Sequence, residues 1–398
     1  MTDTMPMSDQ PTTDQLASAD NRSMIGRDEI DDLESILAVT NTDRDEVVHH
    51  VQNHAETIYT WNYDKGERPA LNKLYEKAKN AQWNGETDLP WDTDVDPEKV
   101  VAENAIANAG IASSGEELRA LGGPFKNFSN AQFTQMSIES NIWTLSQFLH
   151  GEQGALVCTA KIVETVPWID AKYYASTQVM DEARHVEVFA KYLQDKWGGE
   201  YPVNAHLKML LDDIVSDTRW DMTYLGMQIM VEGLALAAFG FMQQMTTEPL
   251  LKKLLRYVMS DEARHVAFGV LSLREYYAEL SDAEIFERQQ FAFEAGVRMR
   301  DRFLQQEVWE RMGMNVKEAI QATMAVPERD LFQMMLFSKI VPNAKKLGLL
   351  DRNNSWLRRR YEELGVIQFE DLVDTGNEYE NFSLEQIAAE DAAAAANA

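Results

Sequence analysis

The 398-residue sequence contains a single cysteine, Cys158. No internal disulfide can form, which excludes a disulfide-stapled secreted scaffold and a cysteine-based zinc cluster. Basic residues are scarce: 37 Lys and Arg stand against 65 Asp and Glu, for a net charge of −28. Residues 1–35 carry −7 of this and residues 366–398 carry −8, so the ends are far more acidic than the centre. Such a balance argues against nucleic-acid binding, which needs a basic face, and against docking on anionic membranes. No uninterrupted apolar run reaches the roughly 18–20 residues of a membrane span. The longest, around 230–242, contains Glu232. The N-terminus lacks the basic and apolar regions of a signal peptide. Gly-rich dinucleotide loops and Walker motifs are also missing, so NADPH or flavin would have to be handled by another protein. The expectation is a soluble, cytoplasmic protein.

What the sequence does hold is a repeated pentapeptide. Asp-Glu-Ala-Arg-His occurs at Asp181–His185 and again at Asp261–His265. Upstream of each copy, at the same interval from its glutamate, an apolar segment carries a further glutamate. The result is one set of Glu152, Glu182 and His185 and a second of Glu232, Glu262 and His265, related by a constant offset. On a helix the Glu and His of Glu-x-x-His lie at i and i+3 and project from one face. Two such pairs plus one glutamate from each of two further helices form the ligand set of a di-iron or di-manganese carboxylate site in a four-helix bundle. Glu-x-x-His alone would more often be solvated surface. The apolar run around Glu232, however, requires that a buried carboxylate be compensated. Four converging glutamates repel each other; two divalent ions supply four positive charges. Glu152, Glu182, His185, Glu232, Glu262 and His265 are therefore the expected metal ligands.

The breaks in helical periodicity agree with one shared site. Pro167 falls midway between Glu152 and Glu182, and Pro249 falls close to midway between Glu232 and Glu262. Each pair then reads as two antiparallel helices joined near a proline, with both glutamates roughly 20–25 Å from the turn. Residues 204–245 read as one long helix, Thr246 or Thr247 before Glu248-Pro249 as a helix start, and Ser281-Asp-Ala-Glu284 as a capping box. Four segments are expected: a disordered acidic N-terminus (1–27), an arm with short helices (28–97), a helical domain (98–365) and an acidic, Ala-rich tail (366–398), ending in the Ala392–Ala396 run. A helix is predicted near Pro69–Trp83.

A metal-bound imidazole needs an acceptor for its other nitrogen. Asp181 and Asp261 are candidates, each expected to reach the histidine of the other copy, with Arg184 and Arg264 neutralising them. The alternative is a pair of surface i, i+3 ion pairs. Side chains one turn from the ligands are candidates for a substrate cavity: Ala155, Leu156 and Thr159 near Glu152; Gln178 before Glu182; Gln228, Ala235, Leu236 and Phe239 around Glu232; Val258 before Glu262. Most are apolar, which suits a hydrophobic substrate or simply bundle core. Thr159 could hydrogen-bond bound oxygen or its own backbone. His150 faces away from Glu152, and His49, His50, His54 and His206 show no ligand spacing.

Across roughly residues 100–310, the twice-repeated Glu…Asp-Glu-x-Arg-His pattern resembles the ferritin-like non-haem di-iron carboxylate oxygenases. It looks most like hydroxylase subunits of bacterial multicomponent monooxygenases, and is related to arylamine N-oxygenases and ribonucleotide reductase small subunits. Leu74–Trp83 with Asp88–Trp91 is similar to an N-terminal arm of such oxygenase subunits. Several positions depart from these relatives. Phe189 stands where reductase subunits commonly place a radical tyrosine, which disfavours a tyrosyl-radical role and leaves Tyr192 and Tyr224 as the alternatives for it. Leu236 replaces the threonine usual in multicomponent hydroxylases. Val258 occupies the position of the extra histidine of arylamine N-oxygenases.

The resulting expectation is an all-α, ferritin-like four-helix bundle with extra C-terminal helices and an N-terminal arm. It would hold two Fe ions, or Fe and Mn. The expected function is that of an O2-activating oxygenase, or hydroxylase, acting on a small hydrophobic organic substrate. Electrons would come from a separate reductase or ferredoxin, and the resemblance implies a homodimer. The alternatives are a radical or redox subunit like the ribonucleotide reductase small subunit, and a non-catalytic metal-binding protein.

Overall fold

The computed structural model describes residues 29–39, 46–109, 115–325 and 327–379. The acidic segment 1–27 and the Ala392–Ala396 run fall outside the described residues. The fold is all-α. In chain order the helices are α1 (Leu33–Ala38), α2 (Pro69–Asn80), α3 (Pro97–Ala107), α4 (Gly115–Leu121), α5 (Asn130–Thr165) and α6 (Ile169–Tyr192). They continue with α7 (Ala205–Ser216), α8 (Trp220–Met245), α9 (Pro249–Glu279), α10 (Asp282–Asp301) and α11 (Gln306–Arg311). The last four are α12 (Val316–Met324), α13 (Pro327–Lys346), α14 (Arg352–Glu363) and α15 (Thr375–Glu378).

The bundle is built from α5, α6, α8 and α9. Helix α5 opens with a reciprocal capping box between Ser129 and Gln132, and ends at Thr165, just before Pro167. Helix α6 starts shortly beyond that proline and packs along α5. Helix α9 has Pro249 in its first turn, where a missing N–H costs nothing. Its cap is Glu248 rather than either threonine: the carboxylate accepts from the amides of Leu250 and Leu251 at 2.7 and 2.6 Å, while Thr246 Oγ1 accepts from the Glu248 amide at 3.2 Å. The Ser281–Glu284 box opens α10 in the expected way.

Residues 204–245 do not form one helix. The chain breaks between Ser216 and Trp220 because buried Lys161, reaching from α5, donates to the carbonyls of Ile214, Val215 and Asp217. Asp217 then accepts from the Arg219 amide at 2.8 Å, and the next helix begins at Trp220. The apolar pattern runs straight through this point, and the interruption is tertiary. Helix α8 is long and apolar enough to cross a membrane by length and composition, which the shorter run read from the sequence did not suggest. Most of it is buried within the protein, as expected of a core helix.

In the arm, the short helices expected over residues 28–60 reduce to α1 among the described residues, and residues 46–64 are non-helical. This strap is tied to the bundle surface by Ile58, whose amide donates to the Glu164 carbonyl at 3.0 Å, and by His49, 2.9 Å from Asp212. Helix α2 ends at Asn80, short of Trp83, and packs on α6 and α9.

Helix α8 holds a π-helical stretch, Leu225–Val231, immediately before Glu232. Wide turns of this kind often occur at functional sites, because they shift the register of the side chains that follow. Two glycines allow the neighbouring helices to approach it. A Cβ on Gly269 would lie 2.7 Å from Gln228 Cβ, and one on Gly226 would lie 2.5 Å from Ile214 Cγ1.

Candidate metal centre

One glutamate comes from each of α5, α6, α8 and α9, and one histidine from each of α6 and α9. The fold brings all six together in the bundle core, almost fully buried. Their ligand atoms form two overlapping groups. Glu152, Glu182, His185 and Glu262 make one; Glu182, Glu232 and His265 make the other. Within each group the potential ligand atoms lie within 4.8 Å of one another. His185 Nδ1 stands 3.1 Å from Glu152 Oε2, 3.1 Å from Glu262 Oε1 and 3.5 Å from Glu182 Oε2. His265 Nδ1 stands 3.0 Å from Glu182 Oε1 and 3.6 Å from Glu262 Oε1. Glu182 and Glu262 therefore sit between the two imidazoles, where a carboxylate could bridge two ions.

The outer nitrogens are held crosswise. His185 Nε2 lies 3.1 Å from Asp261 Oδ2, and His265 Nε2 lies 3.3 Å from Asp181 Oδ2. Each aspartate thus reaches the histidine of the other copy, since one helical step rotates it away from its own. Arg184 bridges the two aspartates, donating to Asp181 Oδ1 at 2.6 Å and to Asp261 Oδ2 at 2.9 Å. Arg264 pairs closely with Asp261 and stands 3.5 Å from Asp181. These ion pairs are buried in the core and not on the surface.

Two contacts came from residues that the sequence did not single out as site residues. Trp83 Nε1 donates to Asp261 Oδ2 at 2.7 Å, and Gln82 Nε2 donates to Asp181 Oδ1 at 3.1 Å. They join the arm to the aspartate pair over separations of 178 and 99 residues. No local spacing announces such contacts; the one available signal was the Trp just beyond the arm helix.

The electrostatics describe a cluster that shares protons. Burial and the charge of Glu262 push Glu152 well above the ordinary carboxylate value, and burial with Glu182 does the same to Glu232. Burial would raise Glu182 too, but His265 and His185 hold it low. Burial opposes charge on the imidazoles, yet contacts with Asp261 and Glu152 raise His185, and the charges of Glu182 and Glu262 raise His265, well above the usual value. Burial also works against an ionised Asp261, which Arg264 and His185 keep ionised.

Several inward-facing atoms have no hydrogen-bond partner: both oxygens of Glu262, Oε2 of Glu182 and of Glu232, and His265 Nδ1. Leaving a buried polar group unpaired costs about 1–3 kcal/mol, more when it is charged. All of these atoms are acceptors or can be, and together they suit a cation. The donor set of carboxylates and imidazoles fits divalent iron or manganese.

Gln178 Nε2 ties two of the ligands together, donating to Glu182 Oε1 at 3.0 Å and to Glu232 Oε1 at 2.9 Å. Gln228 is buried with both ends of its amide unpartnered, and Thr159 Oγ1 is likewise unpartnered. A small cavity of about 10 Å³ touches Glu152, Glu232 and Glu262. Among the cavity candidates, Ala155 and Ala235 line it, together with Gln147, Phe148, Gly151, Val231 and Arg302. Leu156, Leu236 and Val258 do not line this cavity. Phe239 packs with Phe148 and Phe189 at ring distances of 4.7 and 5.7 Å, which sets Phe189 in an apolar cluster. Tyr192 hydrogen-bonds Glu248 at 2.7 Å, and Tyr224 packs on Phe268 and Trp220. His150 Nε2 bonds the Tyr201 carbonyl at 2.8 Å, outside the cluster.

The family model described as p-aminobenzoate N-oxygenase AurF matches residues 160–348. That stretch takes in both Asp-Glu-Ala-Arg-His copies and Glu232, and leaves out Glu152. No curated protein matches the chain in sequence. Solved structures of R2-like ligand-binding oxidases are similar at low identity. One, with an aerobically reconstituted metal cofactor after photoconversion, shares 18% identity over 73% of this chain and 99% of that chain, with a TM-score of 0.47. Another, with an aerobically reconstituted Mn/Fe cofactor after a long soak, shares 18% over 73% of this chain and 98% of that one, also at 0.47. Over residues 160–348 the chain is thus similar to the p-aminobenzoate N-oxygenase family, and its helical fold carries a buried carboxylate–imidazole cluster within that stretch and at Glu152.

Proposed function

We propose that this protein is an O2-activating non-haem di-iron oxygenase that acts on a small hydrophobic organic substrate with electrons from a separate reductase or ferredoxin. The observation that carries this reading is the pair of overlapping carboxylate–histidine groups whose unpartnered acceptor atoms face one another. Glu152, Glu182, His185 and Glu262 would hold one iron, and Glu182, Glu262, Glu232 and His265 the other. When bound, two irons supply the redox capacity to reduce O2 and oxidise an organic molecule.

The protein's own groups do the rest. Asp261 and Asp181 accept from the outer imidazole nitrogens, which leaves each Nδ1 lone pair free for metal and fixes the ring orientation. Arg184 and Arg264 neutralise the aspartates, so that the charge to be balanced inside is that of the four glutamates. Gln178 orients Glu182 and Glu232. The cluster of Phe148, Phe189 and Phe239 excludes water from one side. A mixed Fe/Mn pair would be compatible with the same donors.

The test is O2 uptake by iron-loaded protein after anaerobic chemical reduction, with arylamines and small apolar hydrocarbons screened as substrates. The proposal requires stoichiometric O2 consumption by the reduced protein and an oxygenated or dehydrogenated product. Reduced, iron-loaded protein that leaves O2 untouched would instead favour a non-catalytic metal-binding role.

A further inference from the structure

Neutral polar groups in the bundle core are spread unevenly about the metal centre. Thr159 stands on α5, Tyr174 and Gln178 on α6, Tyr224 and Gln228 on α8, and Ser272 on α9. All six are fully buried. Each has a side-chain oxygen without a hydrogen-bond partner, and in Gln228 the amide nitrogen is unpartnered as well. Each also lies one or two helical turns from a ligand: Thr159 from Glu152, Tyr174 and Gln178 from Glu182, Tyr224 and Gln228 from Glu232, Ser272 from His265. The hydroxyls of Tyr224 and Ser272 face each other without closing a hydrogen bond. Leaving so many buried polar groups unpaired is costly, and folded proteins complete such groups with internal water.

All six lie towards one end of the bundle. Helices α5 and α6 meet there, α8 begins there and α9 ends there. Trp168 and Trp220 touch at that end with ring centroids 4.9 Å apart, and Trp220 packs on Tyr276 at 4.7 Å. Towards the other end the same four helices present Phe148, Phe189, Phe239 and Val258. The polar side leads outward. A cavity of about 350 Å³ opens at its end, lined by Thr165, Trp220, Asp221 and Tyr276 with Glu284 and Glu287 of α10. Tyr224 is one turn further in, its ring 5.6 Å from that of Trp220. Asp221, Tyr224, Gln228 and Glu232 then follow one face of α8 over roughly 16 Å. At the inner end Gln178 Nε2 holds Glu182 at 3.0 Å and Glu232 at 2.9 Å, and its Oε1 has no partner.

We infer that this side of the core is a proton route, in which internal waters bridge Tyr224, Ser272, Gln228, Tyr174 and Gln178 between the outer cavity and Glu182 and Glu232. This rests on the proposed oxygenase function and adds how that chemistry receives its protons. Inserting one atom of O2 into a substrate consumes two electrons and two protons and releases one water. The electrons are the reductase's. The protons come from solvent through the outer cavity, where carboxylates outnumber guanidiniums. A hydroxyl passes a proton without changing its own state: its oxygen accepts one from the outer water as its O–H is given to the inner one. The amides of Gln178 and Gln228 anchor waters and pass nothing. These side chains are positioning residues, acting through water and not on the substrate.

The test pairs a crystal structure of iron-loaded, full-length protein, at a resolution that shows ordered water, with single-turnover oxidation of the reduced protein by O2 in H2O and D2O. Waters should connect Tyr224 Oη and Ser272 Oγ, past Gln228, to Gln178 Oε1. Tyr224→Phe and Gln228→Leu should keep two irons per chain and enlarge the solvent isotope effect. Oxidation should slow by roughly a hundredfold, the lower end of what a positioned proton transfer contributes. Leu254→Ala, a packing defect on the apolar side of α9, should leave the isotope effect unchanged. The waters are read in the unaltered protein, so the claim stays testable if a variant fails to fold. A dry core at these groups would overturn the route. So would variants that oxidise at the unaltered rate, or that slow with no change in the isotope effect, which marks a structural role. A dry core in a protein that consumes O2 removes the route and leaves the oxygenase. Reduced protein that leaves O2 untouched removes the oxygenase reading, and the waters then decide by themselves whether the channel exists.

Discussion

His185 and Asp261 meet 3.1 Å apart in the bundle core although 76 residues separate them, and the aspartate on the histidine's own helix, Asp181, serves His265 instead. The two copies of one pentapeptide therefore interlock, each completing the other's histidine. Arg184 and Trp83 both donate to the same oxygen, Asp261 Oδ2, that His185 approaches. That oxygen is the most heavily used acceptor at the site. Replacing Asp261 with Asn should remove the anionic acceptor for His185 and leave Arg184 and Arg264 under-neutralised. Metal affinity should fall about 10–100-fold. Titration of iron(II) under anaerobic conditions, followed by Trp fluorescence, checks this; unaltered affinity would show that the aspartate is only an ion-pair partner.

Glu182 and Glu262 approach both imidazoles, so their loss should be felt at both ions. Glu182→Ala or Glu262→Ala is expected to lower iron well below two per chain, whereas Gln178→Ala should leave the count intact. Metal analysis after gel filtration decides this. Retention of two irons by either glutamate variant would sink the ligand assignment.

The metal-free protein should lose stability as pH rises. Unfolded carboxylates titrate near 4.3 and imidazoles near 6.5. Folded Glu152 and Glu232 titrate well above the unfolded value. Above about pH 4.3 the folded state therefore binds more protons than the unfolded one, and stability falls with pH. His185 and His265 are also raised, so their stabilising contribution is full below about 6.5 and disappears as pH climbs through the folded values. Glu182 and Asp261 are shifted down; their contributions are lost only in acid below the ordinary carboxylate range. Chelated protein should melt at a higher temperature at pH 5 than at pH 8, and a Glu152→Gln, Glu232→Gln double variant should show a smaller difference. An equal slope in both proteins would contradict the electrostatic account.

Gly269 sits where α9 crosses the π-helical part of α8. Gly269→Ala would place its Cβ 2.7 Å from Gln228 Cβ and 3.1 Å from Ile229 Cδ1. The first of these atoms is fixed to the backbone and cannot swing away. Overpacking of this kind costs about 1–3 kcal/mol. Because Glu232 directly follows the displaced segment, the variant should also bind iron less tightly. Urea denaturation and iron titration of the same sample test both effects, and a fully stable variant with normal iron binding would refute the packing argument.

The metal centre was legible because its information is local and doubled. Glu182 with His185 and Glu262 with His265 share a helical face by spacing alone, and Glu152 and Glu232 stand out as lone acids in apolar segments. The bundle followed from the same residues, with Pro167 and Pro249 marking the turns. The break between α7 and α8 was not legible, since residues 204–245 keep an apolar pattern and the interruption comes from Lys161 on another helix. The arm contacts of Gln82 and Trp83 were hidden for the same reason: their partners lie far along the chain.

The central claim is a two-iron site with the ligands divided between two overlapping groups. The most direct measurement is a crystal structure of anaerobically iron-loaded protein, with iron located by its anomalous scattering. Two peaks should appear, one bounded by Glu152, Glu182, His185 and Glu262 and the other by Glu182, Glu262, Glu232 and His265. A single peak, or iron bound away from these six residues, would contradict the account.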